Sequence, residues 1–173
     1  MDFKEKTLEK NLIYSGKILT LYCDKVLLPN GKEGKREIIE HGGGSAVLCE
    51  KDGKILMVKQ FRYAYGEELW EIPAGKLNSG EDPKETAFRE LEEEGGVKAS
   101  DLELLFTVYP SPGYSAEVIR IYLAKGIKEG KAHLDEDEFL SAVWIDKQTL
   151  KNMIENGEIK DSKTLIALLW ILK

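Results

Sequence analysis

An α/β protein, a sheet covered by helices on both faces, is the fold that this sequence predicts. Three observations carry that expectation. Strand-length runs of aliphatic and β-branched residues recur along the chain, bounded by Gly, Asn and Asp turn signals. Stretches with helical spacing alternate with them or follow them. The hydrophobic share, 42% of 173 residues, is enough for one well-buried core.

The first forty residues read as a small β unit. Lys17–Leu28 has strand content, Pro29-Asn30-Gly31 marks a turn, and Lys35–Glu40 returns. Gly42-Gly43-Gly44 follows as a boundary; it lacks the Lys-Ser/Thr of a phosphate-binding P-loop and is read as a linker. Ser45–Glu50 and Lys54–Arg62 are strands around Asp52-Gly53, a hairpin signal. Residues 63–74 are expected to form a loop leading into an acidic helix.

Asp82 can cap that helix, with Pro83 at its first position, where a missing N–H costs nothing. Gly95-Gly96 ends it. Ala87, Phe88 and Leu91 form its buried stripe, and Glu90, Glu93 and Glu94 fall on the opposite side. Beyond it, Leu102–Tyr109, Val118–Ala124 and Phe139–Ile145 read as strands. Lys147–Asn156 and Lys163–Leu172 read as helices, the second capped by Asp161 or Ser162. Its LIALLWIL run is apolar nearly all round and is expected to be buried.

Bulk properties exclude several classes. A formal net charge of −6 without any basic face or tail argues against nucleic-acid partners. No apolar run is long enough to span a membrane. The start, MDFKEKTLEKN, carries no secretory pattern. Cys23 and Cys49 have no paired spacing and read as buried free thiols of a reducing cytoplasm, with a disulfide as the alternative. His41 and His133 have no partner at ligand spacing and read as structural or surface residues. Trp70, Trp144 and Trp170 read as core.

The acidic helix is the chemical signal. Glu81, Asp82, Glu85, Glu90, Glu92, Glu93 and Glu94 face only Lys84 and Arg89 within one short segment. Crowded anions at a helix C-terminus oppose the macrodipole, and Glu90 and Glu94 repel at i,i+4. A divalent cation with oxygen ligands would relieve both effects. A solvated acidic face is the plainer alternative for a charge run.

The same residues match the Nudix box. That pattern has a Gly, five free positions, a Glu, seven free positions, then Arg-Glu-aliphatic-any-Glu-Glu-any-Gly-aliphatic. Gly75, Glu81, Arg89, Glu90, Leu91, Glu93, Glu94, Gly96 and Val97 fill every fixed place. The chain therefore resembles the Nudix hydrolases. Gln60-Phe61-Arg62, Trp70-Glu71-Ile72-Pro73-Ala74-Gly75, Ser111-Pro112-Gly113 with Glu117, and Glu136-Asp137-Glu138-Phe139 resemble segments of the ADP-ribose pyrophosphatase subfamily. Relatives often stack adenine on N-terminal aromatics. Here that part holds no Trp; Tyr14 and Tyr22 occur in it, with Arg36 as a stacking candidate.

The resemblance implies a Nudix-type α/β/α sandwich with a mixed sheet and a short N-terminal antiparallel β extension. Residues 1–42 would form the extension, serving dimerisation and part of the substrate site, and residues 43–173 the hydrolase domain. It further implies that Glu90, Glu93 and Glu94, the carbonyl of Ala74 and Glu138 hold metal. Arg89 would orient Glu93, with a surface i,i+4 pair as the alternative. Of Glu136 and Glu138, one would serve as base and the other as ligand, with an exposed acidic loop as the alternative; Glu136 is assigned as base. Arg62 would hold a phosphate, or else be an end-of-strand surface arginine. Pro112, Gly113 and Glu117 would shape the ribose side, or form an ordinary turn. Gly75 and Gly96 read as a backbone turn and a helix cap.

The implied activity is hydrolysis of the pyrophosphate bond of ADP-ribose to AMP and ribose 5-phosphate by a cytoplasmic homodimer. The implied cofactor is Mg²⁺, with Mn²⁺ or Zn²⁺ as alternatives. The partner is a small nucleotide-sugar substrate, not nucleic acid or membrane. Other readings are a Nudix enzyme acting on nucleoside triphosphates, NADH, dinucleoside polyphosphates or other nucleotide sugars, and a non-catalytic Nudix-fold sensor.

Overall fold

The computed structural model describes residues 2–134 and 138–173. The chain folds into two compact units, Met1–Gly43 with Tyr109–Val118, and Gly44–Val108 with Ile119–Lys173.

The first unit is an antiparallel sheet. Strands β1 (Lys6–Glu9) and β2 (Leu12–Ser15) flank β3 (Leu19–Leu27), which also pairs with β4 (Glu33–His41). The expected 17–28 and 35–40 strands are β3 and β4. Strands β1 and β2 have no counterpart among the expected elements, because their residues are all exposed and carry no alternating pattern. Segment 109–118 is tied to β4: Ile39 N–H donates to the Tyr114 carbonyl and Ala116 N–H to the Ile39 carbonyl, both at 2.8 Å.

The second unit is an α/β/α sandwich. Its elements are β5 (Gly44–Leu48), β6 (Glu50–Lys51), β7 (Lys54–Arg62), β8 (Glu67–Glu71), β9 (Ala74–Lys76), α1 (Pro83–Glu93), β10 (Val97–Lys98), β11 (Asp101–Val108), β12 (Ile119–Lys125), β13 (Lys128–Glu129), β14 (Leu140–Asp146), α2 (Lys147–Glu155) and α3 (Ser162–Ile171). One sheet runs β11-β12-β5-β9, with β12 parallel to β5 and its other pairs antiparallel. In the other, β7 pairs with β14, β6 and β8, all antiparallel.

Side-chain alternation along the strands explains the layers. Ala46 and Leu48 of β5, Ile55 and Met57 of β7 and Ile121 of β12 join Leu150 of α2 and Leu168 of α3 in one buried cluster. Their neighbours Val47, Leu56 and Tyr122 join Ala87 and Leu91 of α1 in a second. Helices therefore cover both faces, as the pattern predicts.

Three expectations change. Asp52 (φ 52°) and Gly53 (φ 76°) make the two-residue turn, yet only β6 pairs with β7 there; β5 leaves for the other sheet. The expected loop 63–74 contains β8 and leads into β9. Helix α3 is not buried all round: Leu169 is 56% exposed, while Lys163 and Thr164 are buried. No helix among the described residues is long and apolar enough to cross a membrane.

Candidate active site

Helix α1 starts where its cap dictates. The Asp82 carboxylate accepts from the N–H groups of Lys84 (2.8 Å) and Glu85 (3.4 Å), and Pro83 occupies the first turn. Gly96, at φ 62°, ends the helix in the left-handed region. Ala87 and Leu91 are fully buried, as expected. Two carboxylates of the acidic flank are buried as well, Glu90 at 6% exposed and Glu94 at 4%, while Glu93 is half-buried. The flank is not a solvated face.

Strand β9 is what covers that flank. The Ala74 N–H donates to Glu94 Oε2 at 2.8 Å. The Glu90 carboxylate lies on the backbone of Gly75, where a Cβ would come within 1.8 Å of Oε1. Gly75 has no positive φ and pairs within the sheet, so it makes no turn. What the missing side chain provides is the space that the carboxylate occupies, which corrects the turn expected from sequence.

Arg89 organises the rest. Its Nη1 donates to Glu90 Oε1 (2.7 Å) and Glu93 Oε2 (2.8 Å), and its Nε donates to Glu81 Oε1 (3.0 Å). Nη2 reaches the Lys76 carbonyl and Glu81 Oε2, both at 3.2 Å. Glu90 and Glu93 thus converge on one guanidinium, a planar fork suited to several carboxylates. Hydrogen bonding to Arg89 holds the Glu81 carboxyl down at about 2. Burial pushes Glu90 up, against the charge of Arg89. Burial raises Glu94 furthest, to about 8; the Ala74 N–H opposes this, while the charges of Glu90, Glu138 and Glu71 add to it.

Glu138 acts electrostatically on both Glu90 and Glu94. Glu136, the expected base, lies outside the described residues. Among the described residues, no three of His, Cys, Asp and Glu form a preassembled metal cluster.

Arg62 is turned inward. Its Nε and Nη2 donate to Glu71 Oε1 (2.6 Å) and Oε2 (2.7 Å). Both serve a carboxylate that is 1% exposed. Sequence reasoning gives Glu71 no role, and no local spacing signals one, since its second cationic partner, Lys163, is 92 residues away. His133, read as structural or surface, stands beside the acidic helix. Its N–H donates to the Glu93 carbonyl at 3.1 Å, and its Nε2 lies 4.0 Å from Glu93 Oε1.

The remaining candidates belong to the first unit. Arg36 is exposed and pairs with Glu5, its Nε donating at 2.9 Å. Pro112 and Gly113 sit in a turn closed by Ser115 N–H to the Ser111 carbonyl at 2.9 Å. Glu117 Oε1 lies 3.5 Å from His41 Nδ1.

The NUDIX domain model matches residues 40–168, and the nucleoside diphosphate sugar hydrolase N-terminal domain model matches residues 5–39. An ADP-ribose pyrophosphatase of Bacillus subtilis (strain 168) is 45% identical over 97% of this chain and 92% of its own. A methanol dehydrogenase activator of Bacillus methanolicus is 44% identical over 98% of this chain and 93% of its own. A crystal structure of an ADP compounds hydrolase superposes with a TM-score of 0.84 at 20% identity, covering 97% of this chain and 92% of the other. With its whole motif in place and its relatives matched from end to end, the chain belongs to the Nudix hydrolase family.

Proposed function

We propose that this protein hydrolyses the pyrophosphate bond of ADP-ribose to AMP and ribose 5-phosphate. One observation carries the reading: two buried carboxylates, Glu90 and Glu94, are held side by side on the backbone of β9 at the end of a Nudix helix. The near full-length likeness to a protein named ADP-ribose pyrophosphatase supports the substrate.

The donor set fits a divalent cation. Glu94 is buried among other carboxylates, with a backbone N–H on one oxygen, and its raised proton affinity is the mark of an anion short of positive charge. Glu90, Glu94 and Glu138 would hold the ion, with the Ala74 carbonyl and Glu93 beside them; Mg²⁺ is the proposed ion. When bound, it supplies charge that offsets the diphosphate and makes a bound water more acidic.

The chain's own residues do the rest. Arg89 fixes Glu90 and Glu93 in one orientation. Glu136 is proposed to take the proton of the attacking water. The water oxygen bonds to one phosphorus as the bridging P–O bond breaks, and the second phosphate leaves as an anion. Arg62, anchored by Glu71, remains the proposed contact for a substrate phosphate. Arg36, Pro112, Gly113 and Glu117 are proposed substrate contacts on the nucleoside and ribose side.

Residues 1–42 are proposed as a dimerisation extension and 43–173 as the hydrolase domain. Exposed Leu12 (59%), Ile13 (61%) and Tyr14 (58%) of β2 give a second copy apolar surface to cover. Two free cysteines suit a reducing cytoplasm.

Product analysis with Mg²⁺ on ADP-ribose, GDP-mannose and NADH tests the proposal. AMP and ribose 5-phosphate from ADP-ribose, at the highest kcat/KM of the three, is the expected result. Preference for either of the others would reassign the substrate. The 44% identity to a methanol dehydrogenase activator favours a second reading, stimulation of a methanol dehydrogenase. A dehydrogenase rate unchanged by added protein would remove it.

A further inference from the structure

Glu71 and Lys163 are buried charges outside the carboxylate helix, 1% and 7% exposed. Lys163 Nζ donates to Glu71 Oε2 at 2.6 Å and lies 3.1 Å from Asp161 Oδ1. Arg62 holds Glu71 from β7. Burying such a network costs desolvation energy that its attraction scarcely exceeds, and apolar residues of equal volume would anchor a helix as well. Stability alone therefore gives no reason for these residue types.

A second contact enters at the next residue. The Ile72 N–H donates to Thr164 Oγ1 at 2.9 Å, and Thr164 Oγ1 donates to the capping Asp161 Oδ2 at 2.6 Å. The first turn of α3 thus grips two consecutive residues, Glu71 by its side chain and Ile72 by its backbone. Pro73 follows, with its carbonyl fixed by Val47 N–H at 2.8 Å. Ala74 and Gly75, the backbone that holds Glu94 and Glu90, come next.

We infer that Lys163, Glu71 and Thr164 are positioning residues of the cation site: the start of α3 fixes segment 71–75 so that β9 meets Glu90 and Glu94 in register. The inference rests on the proposal that Glu90 and Glu94 hold a divalent cation. It differs in sign from a through-space effect. Removing the positive charge of Lys163 would strengthen cation binding by Coulomb attraction alone; loss of positioning weakens it.

The test is Mn²⁺ titration of the full chain without nucleotide, followed by the loss of the free-ion paramagnetic resonance signal. Lys163→Met and Thr164→Val are each expected to weaken Mn²⁺ binding by about 10- to 100-fold, the range typical of residues that orient metal ligands. In ADP-ribose hydrolysis both should lower kcat more than they change KM. Lys160→Met, which removes an exposed cation paired with Glu67, should leave Mn²⁺ affinity unchanged. Unchanged or tighter Mn²⁺ binding in variants that keep the wild-type circular dichroism would overturn the inference. If Lys163→Met fails to fold, Thr164→Val decides in the same way. Wild-type protein that binds Mn²⁺ but leaves ADP-ribose intact loses the proposed substrate and keeps this inference; wild-type protein that binds no Mn²⁺ loses this inference with the proposed cation site, and the substrate is then decided by product analysis.

Discussion

The Glu90 carboxylate rests on the α-carbon of Gly75, with room for a hydrogen and none for a methyl group: Cβ would stand 1.8 Å from Oε1 and 2.0 Å from Cδ. Fifteen residues apart in sequence, the two are one packing unit. Gly75→Ala must push Glu90 out of place, since the strand is pinned by its pairing with β5. Hydrolysis of ADP-ribose is expected to fall more than about 100-fold, with Mn²⁺ affinity falling alongside. Circular dichroism should remain near wild type. Wild-type kcat in the alanine variant would show that Glu90 can work elsewhere.

Arg89 is the hub of three carboxylates, and its geometry matters as much as its charge. Arg89→Lys keeps the charge but loses the fork. A fall of about 10- to 100-fold in kcat is expected, with KM for ADP-ribose changing less. Equal activity for the lysine variant would reduce Arg89 to a source of charge.

Glu94 makes the metal-free protein sensitive to base. Its folded-state proton affinity is raised, from the ordinary value of 4.5 to about 8. Between those values the folded chain holds a proton that the unfolded chain releases, so stability falls as pH rises, by at most about 1.4 kcal/mol per pH unit from this group. In chelator, the Tm of wild type should drop from pH 5 to pH 8 more steeply than that of Glu94→Gln. Parallel Tm curves for the two proteins would contradict the buried, cation-short carboxylate.

Cys49 is fully buried, and its thiol is pushed up to about 12 by that burial. A thiol-specific disulfide reagent at pH 8 should label Cys23→Ser protein only after unfolding. Rapid labelling of the native variant would place Cys49 nearer to solvent.

Some of this site can be read directly from the chain. Asp82-Pro83 and Gly96 bracket α1 because caps act through neighbouring residues, and Ala87 with Leu91 shows its core face. Asp52-Gly53 shows its turn for the same reason. What stays hidden depends on distant partners. Strands β8 and β9 are short and surround Pro73, so no period announces them. Burial of Glu90 and Glu94 comes from a backbone segment that is not part of their helix. Lys163 looks like a surface residue at the start of an apolar helix until Glu71, 92 residues earlier, arrives beside it. Strands β1 and β2 expose every residue and so give no alternation to detect.

The most direct measurement is Mg²⁺-dependent release of AMP from ADP-ribose by Glu90→Gln and Glu94→Gln proteins beside wild type. Each replacement keeps the shape and removes the anion. Loss of more than about 100-fold in both, with the fold intact, is the expected result for carboxylates that gather positive charge next to a diphosphate. Full magnesium-dependent turnover by either variant would contradict it.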